Sequence, residues 1–295
     1  MESYKFRLPA TSANLGPGFD AVGLALSLYL NVDARMADEF SIRATGRNAN
    51  LVGALRKNLM LDTYRAVAPH GPALELEIHN EIPLGMGCGS SAAALVAGVL
   101  LASRFGGLGW TRQQVLEEAC KREGHPDNVA ACFCGGMTVS AMQPSGAVTT
   151  ASFGGDLKWR LLLALPKASL ATEKARALLP VSYSRADTVA NLQATALLVS
   201  AFAQGRPELL RVATRDFVHQ PYRMEACPLL PRLMELAGEP GFYSVTLSGA
   251  GPSVLLIADA EFAPESLKER IRGAADEADL ELLEASVVAP EYRQY

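Results

Sequence analysis

The chain has 295 residues, 49% apolar and 20% charged, with a formal net charge of −4; this is enough for one large or two moderate domains with a full core, in the range of an ordinary soluble protein. No long basic or acidic run is present, which disfavours nucleic acid or an anionic membrane as the main partner and favours a small molecule. The opening MESYKFRLPATSAN has no apolar core of signal-peptide length, and no later window reaches the roughly 18 apolar residues of a membrane span, so a cytosolic protein is expected.

Residues 4–8 read as a short strand leading into PATSANLGPGFD, residues 9–20, a shaped loop that packs Pro9, Asn14, Gly16, Pro17, Gly18 and Asp20 together. Asn14 and Asp20 offer an amide and a carboxylate from a rigid backbone, which suits a polar ligand. Residues 21–35 read as a long strand. Asn50 opens a helical stretch to about Ala68, as its cap. Leu74, Leu76 and Ile78 then alternate with Glu75, Glu77 and His79, the pattern of a half-exposed strand.

Residues 83–98, PLGMGCGSSAAALVAG, follow that strand and run into an alanine-rich helix. Gly85, Gly87 and Gly89 allow close backbone approach, and Ser90 and Ser91 stand at the helix start. Free N–H groups, the positive end of a helix dipole and two hydroxyls make an anion cradle. It is not a Walker loop, since no Lys lies between Pro83 and Arg104, and alternating glycines do not match the dinucleotide fingerprint. Taken alone, a tight strand-to-helix turn without a ligand accounts for it equally well.

Gly106 and Gly107 stop that helix, and Thr111 with Gln114 forms a capping box for a helix to about Glu123. Its apolar face is Val115, Leu116, Ala119 and Cys120; Glu123 lies near the direction of Leu116, where a carboxylate needs a cation or a metal, while Glu117 and Glu118 point to solvent. His125, Pro126, Asp127 and Asn128 follow Gly124. Cys132 and Cys134 alternate as in a strand and read as small core residues; the five cysteines include no C-x-x-C pair and the four histidines are scattered, so neither a disulfide framework nor a zinc site is indicated.

Turn residues at 145–158 suggest a boundary, giving domains 1–155 and 156–295. Beyond it come a buried strand at 159–165, helices at 172–179, 188–204 and after Pro207, another at 228–237, strands at 243–247 and 253–258 around SGAGPS, a helix from Pro264 and a strand at 282–288. That order predicts an α+β sandwich of ferredoxin type. SGAGPS alone reads as a hairpin turn. Arg176, in ATEKARALLP, and Arg223, in HQPYR, read by default as surface charges.

The segment P-L-G-x-G-x-G-S-S-A-A is similar to the phosphate loop of the GHMP small-molecule kinases. SANLGPGFD resembles their first motif, EGHPDN the segment that supplies a magnesium-binding Glu, and SGAGPS the third motif, which packs against the phosphate loop. Residues 172–180 and 219–223 are similar to stretches of the branch that phosphorylates a hydroxy amino acid, so the likeness covers nearly the whole chain. The resemblance implies a two-domain α+β fold, with an N-terminal ribosomal-protein-S5-like domain and a C-terminal ferredoxin-like one, acting on ATP with Mg²⁺. It implies nucleotide contacts from Pro83, Leu84, Gly85, Met86, Gly87, Cys88, Gly89, Ser90, Ser91, Ala92 and Ala93, with Asn50 near the adenine.

Ser91 and Glu123 would hold the metal, although insertions in other members keep Glu117 as an alternative. Asp20 would pair with the substrate ammonium, Asn14, His125 and Gly249 would contact its polar groups, and Arg176 and Arg223 would grip its carboxylate, a task suited to a guanidinium fork. The proton of the attacking hydroxyl could go to Asp127, which matches the catalytic Asp of other members, to Asp20, or to the phosphate itself. Ala131 departs from the more usual Pro. A homodimer is the family expectation. Two other readings remain: a member acting on a sugar or isoprenoid precursor, and a non-catalytic ligand-binding regulator, which would be expected to lose Glu123 or the serines.

Overall fold

The computed structural model describes residues 3–168 and 172–290. It opens with β1 (Tyr4–Ala13), β2 (Val22–Ala37) and β3 (Ser41–Gly46), then two short helices, α1 (Ala49–Val52) and α2 (Leu59–Val67), and β4 (Ala73–Asn80). Three helices follow, α3 (Ser90–Phe105), α4 (Arg112–Glu123) and α5 (Asp127–Cys134), and then the hairpin β5 (Met137–Met142) and β6 (Val148–Phe153). These strands form one sheet in the order β3-β4-β2-β5-β6, with β1 also paired to β2. Alternation in β4 holds residue by residue: Leu74, Leu76 and Ile78 are buried, and Glu75 and Glu77 pair on the outer face with Arg35 and Arg43. Buried on almost every side from Ala92 to Ala102, α3 is the central helix of this half.

The second sheet is built from β7 (Arg160–Leu165), β8 (Phe242–Leu247), β9 (Val254–Ala258) and β10 (Glu281–Ala285), in the order β10-β7-β9-β8. Counted within this half the order is 4-1-3-2, all antiparallel. Between β7 and β8 lie α6 (Thr172–Ala177), α7 (Arg185–Gln204), a 3₁₀ turn (Pro207–Leu209), α8 (Leu210–Ala213), α9 (Gln220–Arg223) and α10 (Leu229–Met234), and α11 (Pro264–Ala275) precedes β10. Both faces of this sheet are buried. Leu161, Leu163 and Leu165 of β7 join the core shared with the first sheet, while Leu162 and Ala164 face the core under α10 and α11. Among the described residues no helix is long and apolar enough to cross a membrane.

Four local expectations need correction. Strand β1 continues through Ala13, so only the second half of residues 9–20 is a loop; Pro9, which has no N–H to give, sits at a shift in the β1/β2 register. The stretch 50–68 is two helices, and Asn50 caps neither. The α1 N-cap position is Asn48, and Asn58 caps α2 by accepting from Met60 N and Leu61 N. Cys132 and Cys134 lie on α5, not a strand: Asp127 stands in the first turn and the apolar run that follows packs into the core as a helix. Helix α7 starts at Arg185, because Ser184 caps it through Asp187 N.

Candidate active site

Three segments converge where the two sheets meet. In the glycine loop, Gly85, Gly87 and Gly89 have φ of 71°, 75° and 70°. A Cβ on Gly87 would stand 2.2 Å from the Ser248 carbonyl oxygen, and one on Gly89 1.8 Å from Thr11 Oγ1, so no other residue type permits this approach. The turn at 248–253 is fastened to the loop: Ser248 Oγ donates to Gly87 O at 2.8 Å, and Ser253 N donates to Met86 O at 3.3 Å. Gly249 N donates to Ala13 O at 3.1 Å, which draws in the end of β1. Helix α3 begins with Gly89 as its N-cap, without a side-chain cap and without an acidic residue in its first turn, so its first N–H groups are available to an anion.

These segments enclose a cavity of about 150 Å³ lined by Gly85, Gly87, Gly89, Ser90 and Ser91 of the glycine loop and helix start together with Asn14, Phe19, Asp20, Glu123, His125, Asp127, Asn128, Arg176, Arg223, Gly249 and Ala250. Larger hollows lie elsewhere; one of about 600 Å³ on the outer face of the first sheet is lined by Lys5, Asp33, Arg43 and Glu77, which pair with one another as Lys5–Asp33 and Arg43–Glu77. The smaller cavity joins the start of α3 and its glycine loop to a set of unlike charges, Asp20, Glu123, Asp127, Arg176 and Arg223.

Ser91 Oγ donates to Glu123 Oε1 at 2.7 Å, the last residue of α4 facing the first turn of α3. Glu117 instead accepts from Gln113 Nε2 at 2.8 Å and from Val148 N at 3.4 Å, away from the cavity. Two adjacent oxygen donors beside a phosphate-type cradle have the chemistry of a Mg²⁺ site, which draws its remaining ligands from phosphates and water. His125 Nδ1 lies 2.6 Å from Asp127 Oδ1, which also accepts from Asn128 N at 2.6 Å. Burial lowers the affinity of His125 for a proton, but the Asp127 bond and charge, with Asp20 and Glu123, outweigh it and raise its pKa. Asn128 is oriented by Thr11, whose Oγ1 donates to its Oδ1 at 2.7 Å.

The loop of residues 14–20 is bent by left-handed conformations at Asn14, Leu15, Gly16 and Asp20. Asn14 holds it in shape, accepting from Asp20 N and donating from Nδ2 to Gly249 O, each at 3.0 Å. Asp20 meets Arg176 in a two-pronged pair, with both N–H···O distances 2.8 Å. Arg223, only 1% exposed, donates through Nε to Ala175 O at 3.1 Å and through Nη1 towards His219 Nδ1 at 3.1 Å. Burial and the neighbouring Arg176 lower its pKa. The ring of Phe19 lies 5.3 Å from Arg176 Cζ and 5.6 Å from Arg223 Cζ.

Most of the expected residues therefore come together. Asn50 does not line the cavity and is exposed on α1. Pro83, Cys88, Ala92 and Ala93 are buried in the core, and Leu84 and Met86 are half-buried, so their side chains face the fold and any contact with a phosphate comes through the backbone. Phe19 and Asn128 line the cavity without having been singled out, although each is next to or one residue from a residue that was. Which side chain of GPGFD or HPDN turns inwards depends on the kinks at Asn14, Leu15 and Asp20 and on Thr11.

A glycine loop at a helix start, closed by a second glycine turn between two α+β halves, defines a GHMP small-molecule kinase. The family models for the GHMP kinases N-terminal domain and the GHMP kinases C-terminal domain match residues 51–136 and 198–277. The chain is 46% identical over 257 residues to the homoserine kinase of Solibacter usitatus, covering 86% of this chain and 84% of that protein. It is 39% identical over 273 residues to the homoserine kinase of Synechocystis sp., covering 90% and 89%. The crystal structure of homoserine kinase from Cytophaga hutchinsonii has the same fold, with a TM-score of 0.81 at 24% identity over 99% of this chain and 96% of that one. The chain belongs to the homoserine kinase family.

Proposed function

We propose that the chain transfers the γ-phosphoryl group of ATP to the side-chain hydroxyl of L-homoserine, giving O-phospho-L-homoserine for threonine biosynthesis. The observation that supports this reading is that Asp20, Arg176 and Arg223 line the same cavity as the glycine loop. An amino acid has one ammonium and one carboxylate, and these three groups offer one anion and two guanidiniums. In this reading residues 1–155 carry the phosphate loop and residues 156–295 carry the arginines.

ATP binds with its phosphates on the amides of Gly85 to Ser91 and the α3 dipole. Ser91 and Glu123 would hold Mg²⁺, which would supply charge neutralisation on the phosphates. Asp20 exchanges Arg176 for the substrate ammonium, and Arg176 and Arg223 take the carboxylate, so the side-chain hydroxyl points back to the γ-phosphate. Phosphoryl transfer needs mainly alignment and charge stabilisation. Asp127 Oδ1 is already engaged by His125 and Asn128 N, and Asp20 is engaged by Arg176 or the ammonium. Asp127 Oδ2 keeps its acceptor capacity, so the hydroxyl proton passes either to that oxygen or directly to a phosphate oxygen, whereas Asp20, paired with a cation in both states, is the poorer base.

The test is ADP release by purified protein with Mg-ATP and a panel of L-homoserine, L-serine, L-threonine, mevalonate and galactose. Turnover with L-homoserine far above the others supports the reading. Preference for mevalonate or galactose, or ATP binding without turnover of any of the five, refutes it.

A further inference from the structure

Of the four histidines, only His219 is fully buried, and it does not line the cavity. A neutral imidazole has one N–H and one lone pair. Arg223 has donors only, so His219 Nδ1, 3.1 Å from Nη1, must carry the lone pair. The N–H is therefore on Nε2, which faces Gly16 O at 2.8 Å and Asp216 Oδ2 at 3.2 Å. Asp216 is itself held, accepting from Val218 N, His219 N and Gln220 N. Phe19 packs on the imidazole, with ring centroids 5.4 Å apart and planes inclined by 30°. The ring is thus fixed by both halves of the molecule.

The described contacts of Arg223 are all to neutral acceptors, namely Ala175 O, His219 Nδ1 and Gly249 O. Among the described residues no carboxylate forms an ion pair with it. A buried guanidinium held by neutral groups keeps its charge for an incoming anion, whereas a carboxylate at position 219 would consume it.

We infer that Asp216 and His219 are a positioning pair that selects the Nε2–H tautomer and aims the Arg223 guanidinium, so that recognition of the substrate carboxylate depends on an imidazole the substrate never touches. This rests on the reading of Arg223 as a carboxylate-binding group.

The two ring nitrogens can be tested separately. In His219→Asn the amide oxygen can stand near Nδ1 and accept from Arg223, while His219→Gln reaches towards Gly16 and loses that acceptor. Losing a hydrogen bond to a charged group corresponds to a rise of about tenfold or more in the homoserine KM. The Gln variant shows that rise, and the Asn variant stays within about threefold of the parent on the same scale. The ATP KM is unchanged in both. Turnover of 3-aminopropan-1-ol, which is homoserine without its carboxylate, is the same in the Gln variant as in the parent.

Equal KM increases in the two variants, a parallel rise in ATP KM, or an equal loss with 3-aminopropan-1-ol would overturn the inference and leave His219 a purely structural residue. Should either variant fail to fold, Asp216→Asn, with His219 intact, is read on the same assays and is expected to raise the homoserine KM alone. Failure of the unmodified protein to phosphorylate homoserine refutes the functional reading itself, whereas normal turnover without the split refutes only the role of His219.

Discussion

Replacing Arg223 by Ala removes a guanidinium that is 1% exposed and bonded to Ala175 O and His219 Nδ1. Deleting one partner of a buried, hydrogen-bonded charge pair costs about 2–5 kcal/mol, and at about 1.4 kcal/mol per tenfold the full range is roughly thirtyfold to a few thousandfold in substrate affinity. Arg176, whose Cζ also lies 5.3 Å from the Phe19 ring, remains and keeps part of the attraction, so the lower part of that range, roughly 30- to 300-fold in the homoserine KM, is expected. The glycine loop is untouched, so the ATP KM should stay within about twofold, since neither the loop amides nor the helix dipole changes. Protein stability should change little, by about 1–2 kcal/mol, because the lost hydrogen bonds are offset by removal of a desolvated cation. Initial rates with each substrate varied in turn give both KM values, and a melt gives the stability. Equal increases in the two KM values, or no increase for homoserine, would refute the assignment.

Glu123→Ala should lower kcat and raise the magnesium concentration needed for half-maximal rate, while Glu117→Ala, at a residue bonded to Gln113 and Val148 N, should leave both unchanged; a Mg²⁺ titration of the two variants decides. Gly87→Ala places a methyl 2.2 Å from a backbone carbonyl and should cut kcat/KM for ATP by roughly tenfold or more through displacement of the loop. Gly107→Ala, at φ of 67° with nothing within 4 Å, should cost only the left-handed strain of about 1–2 kcal/mol, read as a lower Tm with normal kinetics. Burial lowers the pKa of His219 from 6.5, so the unfolded chain binds the proton more readily than the fold. Its contribution to stability is present above about pH 6.5 and is lost as pH falls through the folded-state value. His219→Gln should flatten the fall in Tm between pH 7 and 5; an unchanged slope would show that other groups govern it.

Local chemistry sufficed for much of this protein. Strand alternation in β4, the Thr111–Gln114 capping box and the helix stop at Gly124 depend on neighbours a few residues away, and each forms as the residue pattern dictates. The glycine loop at the start of α3 was legible as a strand-to-helix turn for the same reason, whereas its reading as an anion cradle rather than a turn without a ligand came from its likeness to a family phosphate loop. Helix ends were less legible: Asn50 and Asn58 are the same residue type in similar polar stretches, and only packing of Met60, Leu61 and Tyr64 into the core puts the α2 start at Asn58. Separations in sequence explain what tertiary structure alone decided. Asp20 and Arg176 are 156 residues apart, and Gly16 and His219 are 203 apart. No periodicity links such pairs, so neither the pairing of Asp20 with Arg176 nor the tautomer of His219 could be read before the two sheets closed on a common core.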